Sequence, residues 1–296
     1  MERELIEPVG SSRVADYPFH IRRIRGRVPK YVTTATLSFV ALACIYPIVF
    51  TFINSFKTRT GYARDPLGLP TEVNFDNYQE VISRMELVHL VFNSTITTLG
   101  GVLLTVGAGF LAAYAITKIN FPGAKIALFF IIATLAVPSQ AIIFPLFETM
   151  RTLGFTGEYQ GLILSLASFG LPLCVYLLTA YLRSIPSDIV DAARVDGAGH
   201  LRIMSHVMFP IARPAIAALT ILNFVWMWND LLLPLVIMGV SGKTSLMVGV
   251  ARLSGEYDIS VPLISAGLVI ALMPVLIVYL VFQRMILGGA MSGAVK

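Results

Sequence analysis

The 296 residues are 56% apolar and only 13% charged, and the mean hydropathy is +0.78. A water-soluble domain carries about 25% charged residues to keep its surface hydrated, so this composition excludes a soluble globular protein and points to an integral membrane one. Twenty-two Lys and Arg against 17 Asp and Glu give a net charge of +5. In a membrane chain that excess belongs to basic cytoplasmic loops rather than to a nucleic-acid partner.

The first 30 residues are expected to form a basic cytoplasmic tail, and residues 31–296 a transmembrane domain. Charges are costly inside a bilayer, so uncharged gaps of about 20 residues or more locate the crossings. Such gaps run from Lys30 to Lys57, His89 to Lys118, Lys125 to Glu148, Glu158 to Arg183 and Asp258 to Arg284. A sixth, from Arg213 to Lys243, is interrupted by Asp230 alone. The expected spans are 33–56, 90–117, 126–147, 159–182, 215–238 and 259–283, which makes an all-α membrane protein of six helices. The first is not a cleaved signal peptide, because its basic leader and apolar run are both too long.

Between the first two spans lies a polar stretch with Pro66, Gly68 and Pro70, and its end, 77–86, reads as a short surface helix. A tight turn is expected around Asn120-Phe121-Pro122-Gly123. Six crossings place both termini on one side. The loops on that side hold 15 Lys and Arg and the others 7, so both ends are expected in the cytoplasm. Cys44 and Cys174 lie in apolar runs and build no disulfide framework. His20, His89, His200 and His206 are too scattered for a metal site. No catalytic residue and no bound cofactor or metal is expected.

The longest cytoplasmic connection, 184–214, carries the strongest signal. Pro186, Ser187 and Asp188 start a helix, and Ile189, Ala192, Ala193 and Val195 follow at helical spacing. Gly197 interrupts as a cap or bend. A second short amphipathic helix is expected at about 200–209, before Pro210 and Pro214 lead into the fifth span. Taken alone, such a helix pair could lie on the membrane surface.

Asp191-Ala192-Ala193-x-x-Asp196-Gly197-Ala198, with Pro210 twelve residues further on, resembles the "EAA" loop of bacterial ABC importer permeases. Asp191 stands where that pattern has Glu, Val207 where it has Ile and Phe209 where it has Leu. Other segments resemble the second permease of carbohydrate importers of the maltose-transporter type. These are Ser55-Phe56-Lys57, Asn74-Phe75-Asp76-Asn77-Tyr78, Trp228-Asn229-Asp230-Leu231-Leu232-Leu233-Pro234-Leu235 and the tail Gly288–Lys296. Together the similarities reach from about Thr33 to Lys296.

The resemblance implies a permease subunit in a bacterial inner membrane, not an enzyme. It would pair with a homologous sister permease, two copies of a cytoplasmic ATPase that uses ATP and Mg, and an extracytoplasmic sugar-binding protein. Asp191, Ala192, Ala193, Asp196, Gly197, Ala198, Leu201 and Pro210 would dock the ATPase. Val248, Gly249 and Gly255, in an expected external loop, would touch the binding protein.

Trp226, Trp228, Asn229 and Asp230 are candidates for the pathway or gate. Asp230 could instead cap or pair with a neighbouring helix, and the tryptophans could be interfacial belt residues. Gly242-Lys243-Thr244 imitates a phosphate-binding loop, but Ile237 stands where its first Gly is required. Three other classes remain open: an ion-coupled secondary transporter, a membrane scaffold or sensor, and an ABC permease for a sugar-phosphate or another small solute.

Overall fold

The computed structural model describes residues 30–119, 121–239, 241–254 and 260–294. Their regular structure is all helical, with no strand among the described residues. The helices are α1 (Lys30–Ser55), α2 (Arg59–Arg64), α3 (Asp76–Met85), α4 (Leu87–Tyr114), α5 (Ala124–Ala133), α6 (Ser139–Thr152) and α7 (Tyr159–Ser184). They are followed by α8 (Ser187–Val195), α9 (His200–Arg202), α10 (Phe209–Trp228), α11 (Leu232–Met238), α12 (Leu246–Arg252) and α13 (Val261–Ala294). The basic tail, residues 1–29, and Gly255 lie outside the described residues.

Two compact units divide the chain at Tyr46 and Pro47. In the first, the described residues are the N-terminal part of α1, whose apolar side chains from Tyr31 to Tyr46 are exposed. Everything below concerns the second unit, residues 47–296.

Among the described residues five helices are long and apolar enough to cross a bilayer, and α5 and α6 are so only together, as two pieces bent by 107°. The expected single helix over 126–147 is therefore broken. Val137 precedes Pro138, and a residue before proline is forced out of the helical region. Val137 is extended (φ −87°, ψ 120°), and α6 starts only after Pro138.

The contacts of α4 and α7 show that the bent pair still crosses. Near their starts, the Tyr159 hydroxyl donates to Asn93 Oδ1 at 2.7 Å. Near their ends, Lys118 Nζ donates to the Ile185 carbonyl at 3.2 Å. The two helices are parallel, so the segment between them must return from one end of the bundle to the other. They approach closely because small residues face the seam, as membrane helices require. A Cβ on Gly109 would sit 2.7 Å from Cys174 Sγ.

The fifth crossing also departs from the expected 215–238. A helical path starts at His200, continues through a π-helical turn at Ile203–Met208 and runs to Trp228. There the chain breaks at 229–231 before α11. Pro234 explains the break, since it lacks the N–H that would have bonded the carbonyl of Asp230 four residues earlier. The second amphipathic helix of the 184–214 segment thus merges with the span instead of ending at Pro210, which sits half-buried in the first turn of α10.

At the end of the bundle where α4 begins, two of the motif segments clasp each other. Asn77 Nδ2 donates to the carbonyls of Ser55 and Lys57 at 2.9 Å each. Phe56 packs on Phe75 and Tyr78, each with ring centroids 5.4 Å apart. Lys57, buried, closes the turn by donating to the carbonyls of Asp65 and Pro66.

Candidate functional site

The segment after α7 builds a compact projection. Asp188 lies in the first turn of α8, where a carboxylate favours the exposed N–H groups. At the other end the Ala198 N–H reaches the Ala193 carbonyl at 3.0 Å, and the Gly197 N–H reaches Arg194 at 2.9 Å. That pair of bonds is a Schellman cap, which needs a left-handed residue after the helix. Gly197 supplies it with φ +75°. A Cβ at Gly197 would meet nothing within 4 Å, so the space over the cap is open.

The eight docking candidates separate by exposure. Asp191, Ala192, Asp196, Gly197 and Leu201 are exposed. Ala193 and Ala198 are half-buried against the protein's own core, and Pro210 belongs to α10. Those three position the projection. Val195, 88% exposed, adds to the apolar surface beside Leu201, 78% exposed, although the sequence placed it on the helix without counting it among the docking residues. Its helical spacing from Ala192 was the available signal. Val190, on the other face of α8, is buried and anchors the projection.

The end of α4 holds this projection by three long-range bonds. The Tyr114 hydroxyl donates to the His200 carbonyl at 3.1 Å and lies 3.3 Å from His200 Nδ1. Lys118 Nζ reaches Ile185, and Arg194 Nη2 donates to the Lys118 carbonyl at 3.2 Å. Arg194 also pairs with Asp191 at 3.1 Å. Tyr114 and Lys118 flank and occupy a π-helical turn, Ala115–Ile119, an irregularity common at functional sites.

Toward the opposite end of the bundle, the break after α10 meets the bend between α5 and α6. Ser139, Gln140 and Ile143 from α6, Phe169 from α7, Val225 and Trp226 from α10, and residues 229–233 line a cleft of about 460 Å³. The four pathway candidates divide. Trp228 is buried, donates from Nε1 to the Ala271 carbonyl at 3.0 Å and stacks on Phe224. It fastens α10 to α13 and does not face the cleft. Trp226, 41% exposed, and Asn229 do line it. Asp230 Oδ1 accepts from the Leu233 N–H at 3.2 Å, so the carboxylate caps the start of α11 while lining the cleft.

Val248 and Gly249 were expected in a loop that touches a binding protein. Residues 246–252 are the helix α12, not a loop, and both residues are buried. A Cβ on Gly249 would lie 2.4 Å from Leu90 Cδ1. The exposed positions nearby are Ala251 and Arg252. Arg252 lines a cleft of about 710 Å³ with Arg59, Asp76, Glu80, Arg84 and His89, a polar surface not anticipated from the sequence.

Gly242-Lys243-Thr244 is a structural clasp. Lys243 Nζ pairs with Glu158 and lies 5.4 Å from the centroid of the Tyr159 ring, while the Thr244 carbonyl accepts from Asn93 Nδ2 at 3.0 Å. Among the described residues, no group of three His, Cys, Asp or Glu is placed to hold a metal ion.

The described residues thus form a helical bundle with a capped projection at one end and two helix breaks that meet at one cleft. Residues 105–288 match the family described as binding-protein-dependent transport system inner membrane component. The chain is 33% identical over 267 residues to the diacetylchitobiose uptake system permease protein NgcG of Streptomyces coelicolor, covering 90% of this chain and 88% of that one. It is 33% identical over 254 residues to the trehalose transport system permease protein SugB of Mycobacterium tuberculosis, covering 85% and 92%. A solved chain of a bacterial ABC transporter involved in import of the acidic polysaccharide alginate matches with a TM-score of 0.75 at 27% identity, covering 86% of this chain and 95% of that one. The chain belongs to this family, as a multi-pass inner-membrane permease subunit of a binding-protein-dependent ABC importer.

Proposed function

We propose that this subunit imports a sugar or sugar derivative together with a homologous sister permease, two copies of a separate ATPase and an extracytoplasmic binding protein. Permeases for diacetylchitobiose, trehalose, and melibiose, raffinose and stachyose are among its relatives, which supports the substrate class. In this reading the chain itself binds no cofactor, and the partner ATPase uses ATP and Mg. The observation that carries the reading is the Schellman-capped projection. Its small and apolar surface at Ala192, Val195, Gly197 and Leu201 suits insertion into a cleft of another protein, and the carboxylates of Asp191 and Asp196 suit basic groups there.

The cap, clamped to the end of α4, passes ATPase closure to the spans. At the far end, the bend at Pro138 and the break at 229–231 act as the gate. Both termini and the projection lie in the cytoplasm, in keeping with the 15-to-7 distribution of basic residues. Capping of α11 by Asp230 supports a gate role for that carboxylate over proton carriage.

The test is purification of the native complex in mild detergent. An ATPase, a second permease and a binding protein that retains sugar should co-purify. A chain that purifies alone, and whose uptake follows an ion gradient without ATP, contradicts the reading.

A further inference from the structure

The cleft at the gate holds polar groups that the fold leaves unused. The Gln140 amide and Trp226 Nε1 have no hydrogen-bond partner among the described residues, and Asn229 uses one N–H, on the Val225 carbonyl at 2.7 Å. Gln140 lies within the uncharged stretch from Lys125 to Glu148, and Asn229 lies in the stretch from Arg213 to Lys243, which Asp230 alone interrupts. Amides within a span cannot face lipid without losing several kcal/mol of hydration (roughly 2–7 per group). Irregular backbone at membrane depth is likewise tolerated only where it is covered by protein or lines a watery cavity. Unpaired amides beside irregular backbone fit the second case, a watery cavity on the pathway, whose chemistry restricts what passes.

We propose that this cleft is a sugar subsite for an uncharged glycoside. One ring face lies on the indole of Trp226, and its hydroxyls exchange hydrogen bonds with Gln140, Asn229 and the Asp230 carboxylate. An exposed aromatic plane beside neutral amides matches a pyranose, which presents C–H groups on its faces and hydroxyls around its rim. No Lys, Arg or His lines the cleft. An anionic sugar would thus meet the Asp230 carboxylate with no cation from this chain to offset it. The assignment rests on the permease reading and adds to it that this subunit touches the cargo.

The test uses the complete complex in proteoliposomes with its binding protein. The transported sugar is chosen from trehalose, raffinose, diacetylchitobiose, sulfoquinovosyl glycerol and alginate oligosaccharides. A diazirine derivative of that sugar is then photocrosslinked and mapped. The proposal expects an uncharged sugar to be transported and its crosslinks to fall on residues 139–143 and 226–233. In Trp226→Leu complexes of normal composition, uptake and crosslinking should drop about tenfold, and Trp226→Phe should keep at least half of both.

Full activity in Trp226→Leu, equal loss in the Phe variant, crosslinks elsewhere, or exclusive transport of the anionic sugars would each overturn the subsite. Cysteines at Gln140 and Asn229 separate this from the underlying reading. Labelling by a membrane-impermeant thiol reagent in the assembled complex supports the pathway even where the subsite fails. Absence of labelling, or no uptake of any of the five sugars, would bring down the pathway or the substrate class, and the subsite with it.

Discussion

At the scale of single residues, Gly197 and Asp230 each perform a backbone task at a working surface. Gly197 has φ +75° in a Schellman cap with open space above it. A side chain there strains the backbone by about 1 kcal/mol, but its Cβ meets nothing within 4 Å among the described residues. Gly197→Ala should accumulate in the membrane at wild-type levels, with a thermal midpoint lowered by a few degrees at most. Gly197→Leu should additionally lose the ATPase on purification, because its bulk enters the partner's space. Retention of a stoichiometric ATPase by the Leu variant would contradict docking through the cap.

Asp230 accepts from the Leu233 N–H, and Asn caps about as well as Asp. Asp230→Asn should therefore keep most ATP-driven uptake. Asp230→Leu loses both cap and polarity, about 0.5–2 kcal/mol from the cap alone, and should lose most uptake. Equal loss in both variants, with uptake abolished by collapsing the proton gradient at constant ATP, would favour ion coupling.

At the scale of elements, the projection moves with α4 only as far as the bonds between them hold. Tyr114→Phe removes the hydroxyl from His200, and Lys118→Met removes the donor to Ile185. Each bond is worth about 0.5–1.5 kcal/mol net, too little to unfold the bundle. The double variant should still bind the ATPase but hydrolyse more ATP per sugar imported. An unchanged ratio would show that coupling bypasses the end of α4.

Charge gaps made the crossings legible, because a charge in hydrocarbon is expensive wherever it sits in the fold. The Asp-Ala-Ala-x-x-Asp-Gly-Ala segment was legible because capping and small size are local properties. The breaks were partly visible: Pro138 lies inside an uncharged run that, judged by length alone, reads as one helix. The burial of Val248 and Gly249 was not visible, since it depends on Leu90 and Met85, far away in sequence. Likewise, nothing local distinguishes Trp226 from Trp228. The carbonyl of Ala271 on α13 does so, by holding the second indole.

At the scale of the whole molecule, the parallel run of α4 and α7 fixes the direction of every crossing in the second unit from α4 onward. Orientation then follows from one loop. In a cysteine-free background, a cysteine at Ser205 should react only with reagents supplied from the cytoplasm, and one at Asn74 only with those supplied from outside. Reversed labelling would invert the bundle and remove the projection from the reach of an ATPase.

The 107° bend also has a consequence for how the chain enters the membrane during synthesis. With ten residues, α5 is about 15 Å long, half of the roughly 30 Å of hydrocarbon it must help to cross. Its buried side chains, Ala124 and Leu128, pack with Val175 of α7, which is synthesised some fifty residues later. The third crossing therefore has no stable bilayer position until the fourth has left the ribosome and laid its apolar flank alongside. Nascent chains cut after Gly157 should leave that segment without a fixed sidedness, giving mixed reporter signals for residue 157, and chains extended through Ser184 should resolve to one. A uniform signal from the shorter chains would mean that the bend forms only after a straight helix has already inserted.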